Sequence, residues 1–393
     1  MPRPRELGNI LDMHAQFDAA IVGAGPAGSA TAAHLAVRGA RVALIDRAIF
    51  PRAKPCAEYL SPGAVDALDR LGVGAALRRS GAATVRGMRI VAPDGTASTG
   101  RFPNHEGFAL PRETLDQILA QHAADRGAVF LPGQTVVAYE PGPPWTLRLP
   151  GGSTLTADLL VGADGLHSRV ARQTVGVHPG TSHRIALVTH YADVPGMSDD
   201  GEMHVTHFGY VGLASVGPSL VNISVVVDRR QGRPRADATA WFDALIASVP
   251  RVADRLAQGR RVEPVRGIGP FGQRARQVTG DRLLLVGDAA EFFDPFTGDG
   301  IWTALKGAEL AAIAALTPDN LRGYAAARRR AFAGKWVVER AISAAVARPR
   351  LFNHIAHRLA RRPALLDTLV GVTGHVVPAS RALSPTFLLA LVR

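Results

Sequence analysis

The 393-residue chain holds one cysteine, Cys56, so no intrachain disulfide can form and a reducing, cytoplasmic setting is expected. No apolar run reaches the roughly 18 residues that suggest a membrane span. Behind Arg3 and Arg5 there is no apolar core of signal-peptide length, and residues 1 to 16 read as a disordered extension with Met13 as an alternative start. Charged residues are only 20% of the chain against 47% hydrophobic, which excludes a disordered protein and describes a well-packed one. At this length two domains or more are expected.

Acid is also scarce. Lys and Arg number 45 against 33 Asp and Glu, a net charge of +12. The excess is concentrated between Arg322 and Arg362, where eleven basic residues meet one acid, Glu339. No recognised nucleic-acid module accompanies them, so nucleic acid is not expected as a partner. The plain reading is a solvated helix face around Arg328-Arg329-Arg330. The second is peripheral contact with an anionic membrane surface.

What the chain does have is glycine in an ordered pattern. An apolar run, Phe17 to Val22, ends in Gly23-x-Gly25-x-x-Gly28, and an Ala-rich helical segment follows at once. Such spacing permits a tight turn at Gly23, close approach of a pyrophosphate at Gly25 and close helix–strand packing at Gly28. The helix start offers free N–H groups and a positive dipole end to phosphate. A second apolar run, Val42 to Ile45, ends in Asp46, 18 residues after Gly28 and near the spacing of about 20 at which an acid meets a ribose hydroxyl. A dinucleotide site is therefore expected; the plain alternative is a glycine-rich helix cap.

Prolines 51, 55 and 62 make residues 47–63 a long loop beside that site, followed by a helix over 64–71. A strand from Met88 runs into a Pro-Asp-Gly turn. Leu110 to Gly127 is an amphipathic helix, with short strands near 128–131, 134–140 and 145–149 and a longer one over 155–163. Residues 183 to 229 alternate as antiparallel strands without helices between them, and helices are expected near 236–248 and 251–258. Asp281 to Asp288 reads as a buried parallel strand, and the remainder as helices broken at Pro318, Pro349, Pro363 and Pro378. A second Gly-x-Gly-x-x-Gly, at 267–272, lacks a helical apolar period behind it and reads as a crossing between sub-structures.

Three segments together resemble a known set: Gly23-x-Gly25-x-x-Gly28, Gly162-Ala-Asp164-Gly165-x-x-Ser168-x-Val170-x-Arg172, and Gly287-Asp288-Ala-Ala with a Pro-x-x-Gly turn. In this order they are similar to the fingerprints of flavoproteins related to p-hydroxybenzoate hydroxylase and geranylgeranyl reductase. The resemblance implies FAD, with NAD(P)H as a transient electron donor. Motif and resemblance together assign cofactor contacts to Gly23, Gly25, Pro26, Ala27, Gly28, Asp46, Arg47, Arg112, Asp164, Gly165, Gly287, Asp288, Pro295, Gly298, Asp299, Gly300 and Ile301. The N–H groups at the start of the helix from about Gly300 would favour the anion that forms on flavin reduction. Lys54-Pro-Cys56-Ala-Glu58 resembles the Lys-x-Cys-Gly-Glu segment of the reductase branch, so Cys56 and Pro295 are candidate catalytic residues. Ala57 replaces the branch's usual glycine, and Tyr210-Val-Gly-Leu-Ala214 replaces its Tyr-x-Trp-x-Phe-Pro segment. Glu291 and Trp302 depart from the His and Asn of aromatic hydroxylases. A halogenase is disfavoured because the tryptophans, 145, 241, 302 and 336, form no Trp-x-Trp pair.

The expected fold is an α/β, Rossmann-like FAD-binding domain (17–87, 105–180, 276–330) with an inserted antiparallel substrate-binding sheet (88–104, 181–275) and a helical C-terminal region (331–393). Val205, Phe208, Val211, Leu213, Ile223 and Val225 make an apolar small-molecule substrate the expected partner. His190, His204 and His207 read as ordinary sheet surface, the alternative being that one of them serves as a base toward a phenol, and no metal is expected. The leading expectation is a monooxygenase hydroxylating an aromatic or polyketide-like molecule with NAD(P)H and oxygen. Its rival is a reductase of isoprenoid carbon–carbon double bonds. A third reading is a non-catalytic flavin-binding protein docked to membrane through the basic helices.

Overall fold

The structure, a computed structural model, describes residues 16–178, 180, 182–231, 237–317 and 320–392. Of the N-terminal extension expected over residues 1 to 16, residues 1–15 lie outside the described residues, and Gln16 instead opens the first strand.

The first apolar run forms the strand Gln16–Val22 at the centre of a sheet. It pairs in parallel with Thr154–Gly162 on one side and Val42–Asp46 on the other. Leu283–Leu285 and Val129–Pro132 extend this parallel order outwards. Val42–Asp46 is buried at all five positions, as a parallel strand covered on both faces must be. The helix Pro26–Ala36 packs on this sheet, against the helices Arg112–Asp125 and Gly300–Leu316. Its alanines let the backbones approach. Ala27, Ala30, Ala33, Ala304, Ala308 and Ala311 all lie in one core.

A second large sheet runs in the order Arg260–Arg261, Arg184–Ala192, Leu220–Asp228, Gly209–Gly217, Asp200–Val205, Gly87–Val91, Ala97–Arg101. Every pairing along it is antiparallel except that of Asp200–Val205 with Gly87–Val91. The helices Ala238–Ala247 and Pro250–Leu256 cover one face of it. The second Gly-x-Gly-x-x-Gly begins in the strand Arg266–Ile268, paired with Arg184–Ala192, so it is a crossing and not a nucleotide loop.

The C-terminal helices are Leu321–Val346, Pro349–Arg361, Pro363–Thr373, Ala379–Ala382 and Pro385–Val392. Three begin on proline, which fits the first helical position because its missing N–H would be unpaired there anyway. Leu321–Val346 continues unbroken through the domain boundary expected at 330, because no proline interrupts it. Pro363–Thr373 packs on Ala97–Arg101 so closely that a Cβ at Gly100 would lie 2.7 Å from Leu366 Cγ. Among the described residues, no helix is long and apolar enough to cross a membrane.

Candidate active site

Between the two sheets lies a cleft, partly open to solvent, lined by the helix starts at Gly25 and Gly300, by the Cys56 loop and by strands of the second sheet.

One end is built by the first glycine motif. Gly25 caps the helix Pro26–Ala36 without any side-chain hydrogen bond, and the first turn carries no acid. The leading N–H groups are therefore free for an anion. Gly23 has φ +105, and a Cβ on Gly28 would stand 1.8 Å from the Gly23 carbonyl oxygen. These two glycines set the turn and the helix–strand contact. Only Gly25, Pro26 and Ala27 face the cleft. Guanidinium nitrogens of Arg52 and Arg112 both lie 3.8 Å from the position of a Gly25 Cβ. Arg112 is held by Asp116 in a bidentate pair at 2.9 and 2.8 Å.

Asp46 uses its carboxylate to close this loop: Ala24 N–H donates to one oxygen at 2.8 Å and Ala48 N–H to the other at 2.9 Å. Arg47 is exposed at the strand end, and neither residue lines the cleft. Asp164 accepts from the N–H groups of Arg169 and Val170 through Oδ2, while its buried Oδ1 has no partner. Gly165, at φ +81, turns the chain beside Lys54 Nζ.

At mid-cleft, Gly287 abuts Ala27 and Asp288 faces a cluster of cations. Burial raises the Asp288 carboxyl above its ordinary range, against the pull of Lys54, Arg112, Lys335 and Arg328. Burial, then the Arg112 charge, pushes Lys54 below the ordinary lysine range. Arg328 corrects the plain reading of the basic run as a solvated face. It is 2% exposed, stacks over Phe332, lies 3.8 Å from Glu291 and lines the cleft. Its buried Nη1 has no hydrogen-bond partner. Only Arg329 and Arg330 of the triple are exposed.

The far end is the loop from Asp294 to Gly300. Pro295, Gly298, Asp299, Gly300 and Ile301 all line the cleft. Gly298 has φ +68, and a Cβ there would meet the Tyr59 ring at 2.8 Å. The 17-residue helix Gly300–Leu316 starts here, so its positive dipole end faces the cleft. Burial, which raises Asp299, is outweighed by Lys335 at 3.5 Å, by His375 at 3.1 Å and by the Thr297 hydroxyl, so its carboxyl lies below the ordinary range. Cys56, half-buried, lines the cleft beside the Arg112 guanidinium, and its Sγ accepts the Glu58 N–H at 3.3 Å.

Two readings of the second sheet change. Phe208, Val211, Leu213, Ile223 and Val225 pack under Trp241 and Phe242, away from the cleft, and Val205 is buried in another core. Their neighbours Tyr210, Gly212, Ser224 and Val226, one residue out of phase, line the cleft, because successive strand side chains alternate faces. The cleft wall is still largely apolar, with Ala186, Val188, Met203 and Phe271 beside them. His190 is also not surface. It is buried, with Nε2 2.6 Å from Glu58 Oε2. His204 is buried against Glu202 at 3.0 Å, and His207 lies exposed in the turn after that strand. Among the described residues, no cluster of His, Cys, Asp and Glu could hold a metal ion.

The FAD binding domain family matches across residues 16–329. The chain belongs to that family. It is an FAD-dependent oxidoreductase. Similar proteins include a menaquinone reductase of Mycobacterium tuberculosis, 32% identical over 79% of this chain and 82% of that one. A menaquinone reductase of Mycolicibacterium smegmatis is 31% identical over 93% of each. A digeranylgeranylglycerophospholipid reductase of Methanosphaera stadtmanae is 28% identical over 76% of this chain and 78% of that one. In fold the chain is similar to a flavoprotein/dehydrogenase of Cytophaga hutchinsonii, with TM-score 0.80 and 19% identity over 95% and 99% of the two chains. It is also similar to a flavin-dependent brominase, with TM-score 0.80 and 20% identity over 92% and 94%.

The residues present fit FAD. The uncapped helix start at Gly25 with Arg52 and Arg112 suits the pyrophosphate. The unpartnered Arg328 Nη1 and the carboxyl of Asp288 offer a donor and an acceptor for a polyhydroxy chain. The Asp294–Ile301 loop and its helix start suit a ring that becomes anionic on reduction.

Proposed function

We propose that this flavoenzyme saturates a carbon–carbon double bond in the isoprenoid chain of a lipid or quinone, with NAD(P)H as a transient donor. The observation that carries the reading is the cleft itself: an apolar wall from the second sheet faces a flavin-side loop bearing one thiol, Cys56, and one acid, Glu58. A long hydrocarbon chain suits such a wall, and reduction of an alkene needs a proton source next to a hydride source. The chemistry that FAD supplies when bound is the hydride. Tyr210, Gly212 and Ser224 shape the wall that the chain would lie against, and Arg112 and Lys54 hold positive charge where the cofactor is anionic. The menaquinone reductases and the digeranylgeranylglycerophospholipid reductase among the similar proteins support this reading over the hydroxylase expected from sequence.

A lipid-borne substrate gives the basic C-terminal helices a role. Arg329, Arg330, Arg348 and Arg350 are not buried, and Val337, Leu351, Leu388 and Leu389 are each about half exposed on the same group of helices. Exposed arginine mixed with exposed leucine suits contact with an anionic bilayer surface.

The deciding test is anaerobic turnover. With polyprenyl substrates, NADPH and no oxygen, mass spectrometry should show a product heavier by two hydrogens. Oxygen uptake stoichiometric with a hydroxylated product would overturn the reading in favour of the monooxygenase.

A further inference from the structure

His190 stands on the second sheet and Glu58 on the Cys56 loop, 132 positions apart, yet their side chains meet at 2.6 Å beside the cleft. His190 stands in Arg184–Ala192, while Glu58 precedes the short strand Tyr59–Leu60 on the Cys56 loop. Glu58 adopts φ +61, a left-handed conformation rare for a residue with a Cβ. Its carboxylate is tightly held. Arg112 N–H donates to Oε1 at 2.8 Å and Asn222 Nδ2 donates to Oε2 at 3.1 Å. The second ring nitrogen, Nδ1, faces Glu263 Oε2 at 3.3 Å without a well-formed hydrogen bond. Exposure rises along this line: the Glu58, His190 and Glu263 side chains are 4%, 10% and 35% exposed. Glu58 itself lines the cleft.

We propose that Glu58, His190 and Glu263 form the path by which a proton from solvent reaches the cleft. This rests on the double-bond reduction proposed above. In that reaction one alkene carbon takes the hydride from reduced flavin. The other takes the Nε2 proton of the His190 imidazolium by way of Glu58, forming a C–H bond and leaving a carboxylate beside a neutral imidazole that keeps its hydrogen on Nδ1. Before the next turnover that hydrogen passes to Nε2 by tautomer exchange, and the freed Nδ1 takes a proton from Glu263, which water reprotonates. The hydride brings one hydrogen with two electrons and the path brings one proton, so the alkene gains two hydrogens and leaves saturated. The charges that face the imidazole are Glu58 and Glu263. Arg112 stands behind Glu58, Arg266 lies 3.5 Å from Glu263, and the Cys56 thiol neighbours the Glu58 N–H. Together the two carboxylates hold the His190 ring above its ordinary pKa despite burial, which lowers it. A cross-link that only fastened the loop to the sheet would be served by Asn222 alone, which also donates to the Cys56 carbonyl at 2.9 Å. It would not need a second nitrogen aimed at a half-exposed acid.

His190→Gln separates the two roles. Glutamine can still donate to Glu58 but cannot relay a proton. On FAD-loaded protein, reduction of the flavin by its donor should stay at the wild-type rate, while formation of saturated product falls about 10²-fold, the usual scale of general acid catalysis. Its solvent deuterium isotope effect should rise. Glu263→Gln, at a half-exposed position, should cause a smaller loss of the same kind. It should also lower the His190 titration midpoint, read by NMR of ¹³C-labelled histidine without substrate, with His190→Gln identifying the signal. Wild-type product rates and isotope effects in both variants would overturn the proton path and leave the reductase reading intact. If wild type makes no saturated product, the reductase reading fails, and an unmoved His190 titration in Glu263→Gln would separately overturn the path.

Discussion

The Tyr210 hydroxyl donates to Asp294 Oδ1 at 3.0 Å, joining the second sheet to the flavin-side loop across the cleft. Arg184 holds the other carboxylate oxygen at 2.5 Å and also reaches the Ser343 hydroxyl, and the Phe296 N–H caps Oδ1. Burial and the Asp294 charge raise the Tyr210 phenol well above its ordinary range, so it stays a neutral donor. Tyr210→Phe keeps the ring against Phe296 and leaves Asp294 two other donors, so it should cost only about 1 kcal/mol of stability. Asp294→Ala strands the mostly buried Arg184 and should cost about 3–5 kcal/mol. Urea denaturation of the two variants checks the ratio.

Gly28→Ala should yield colourless protein. Its Cβ would overlap the Gly23 carbonyl at 1.8 Å, and neither backbone can retreat from the helix–strand contact. Gly39→Ala is the control. It places alanine at φ +85 but meets nothing within 4 Å, so it should cost roughly 1–2 kcal/mol for the left-handed backbone and retain flavin. Absorbance of the purified proteins near the flavin bands measures both.

The glycine motif, the Asp288–Gly300 loop and Cys56 could be found by reading along the chain because each is a local device: a turn, a strand end or a loop next to it. Phase and distance were not legible in the same way. The alternation of Val211 and Leu213 with Tyr210 and Gly212 shows two faces of a strand, but which one meets the cleft depends on the helix Ala238–Ala247 covering the other. The pairing of Glu58 with His190 has no local signature, since it exists only once the Cys56 loop is laid on the second sheet. Arg328 reads like Arg329 and Arg330 until the helix is docked, when one of the three turns inward to Glu291 and the cleft.

Stability should fall as pH rises from about 4.5 to 7, because of Glu339. Burial raises its carboxyl from the ordinary 4.5 to about 7, with Asp299 and Asp294 adding to the rise and Lys335 opposing it. The folded state therefore binds a proton that the unfolded state has released, and this contribution is complete below 4.5 and lost by about 7. The difference is worth roughly 3 kcal/mol at most. Asp299 works the other way, being held low by Lys335 and His375, and its contribution is lost only as pH falls below the ordinary carboxylate range. Glu339→Gln should flatten the slope between pH 5 and 7 in paired denaturant titrations. An unchanged slope would assign it to another group.

The arginine triple should divide in function between its members. Arg329 and Arg330 are exposed on Leu321–Val346, and reversing both to Glu should change stability by well under 1 kcal/mol, as surface charges do. It should nevertheless weaken sedimentation with anionic vesicles, at about 1 kcal/mol per arginine brought near the surface, and added salt should weaken the wild type in the same way. Arg328 is a different case. Its guanidinium is buried between Glu291, Phe332 and the cleft, so Arg328→Ala removes a charge that Glu291 and Asp288 both feel. Flavin affinity and thermal stability should drop, while vesicle binding of the folded fraction stays at the wild-type level. Equal vesicle binding by the Arg329/Arg330 reversal and the wild type would remove the membrane role from these helices. Loss of vesicle binding in Arg328→Ala alone would mean that the inward and outward assignments are wrong.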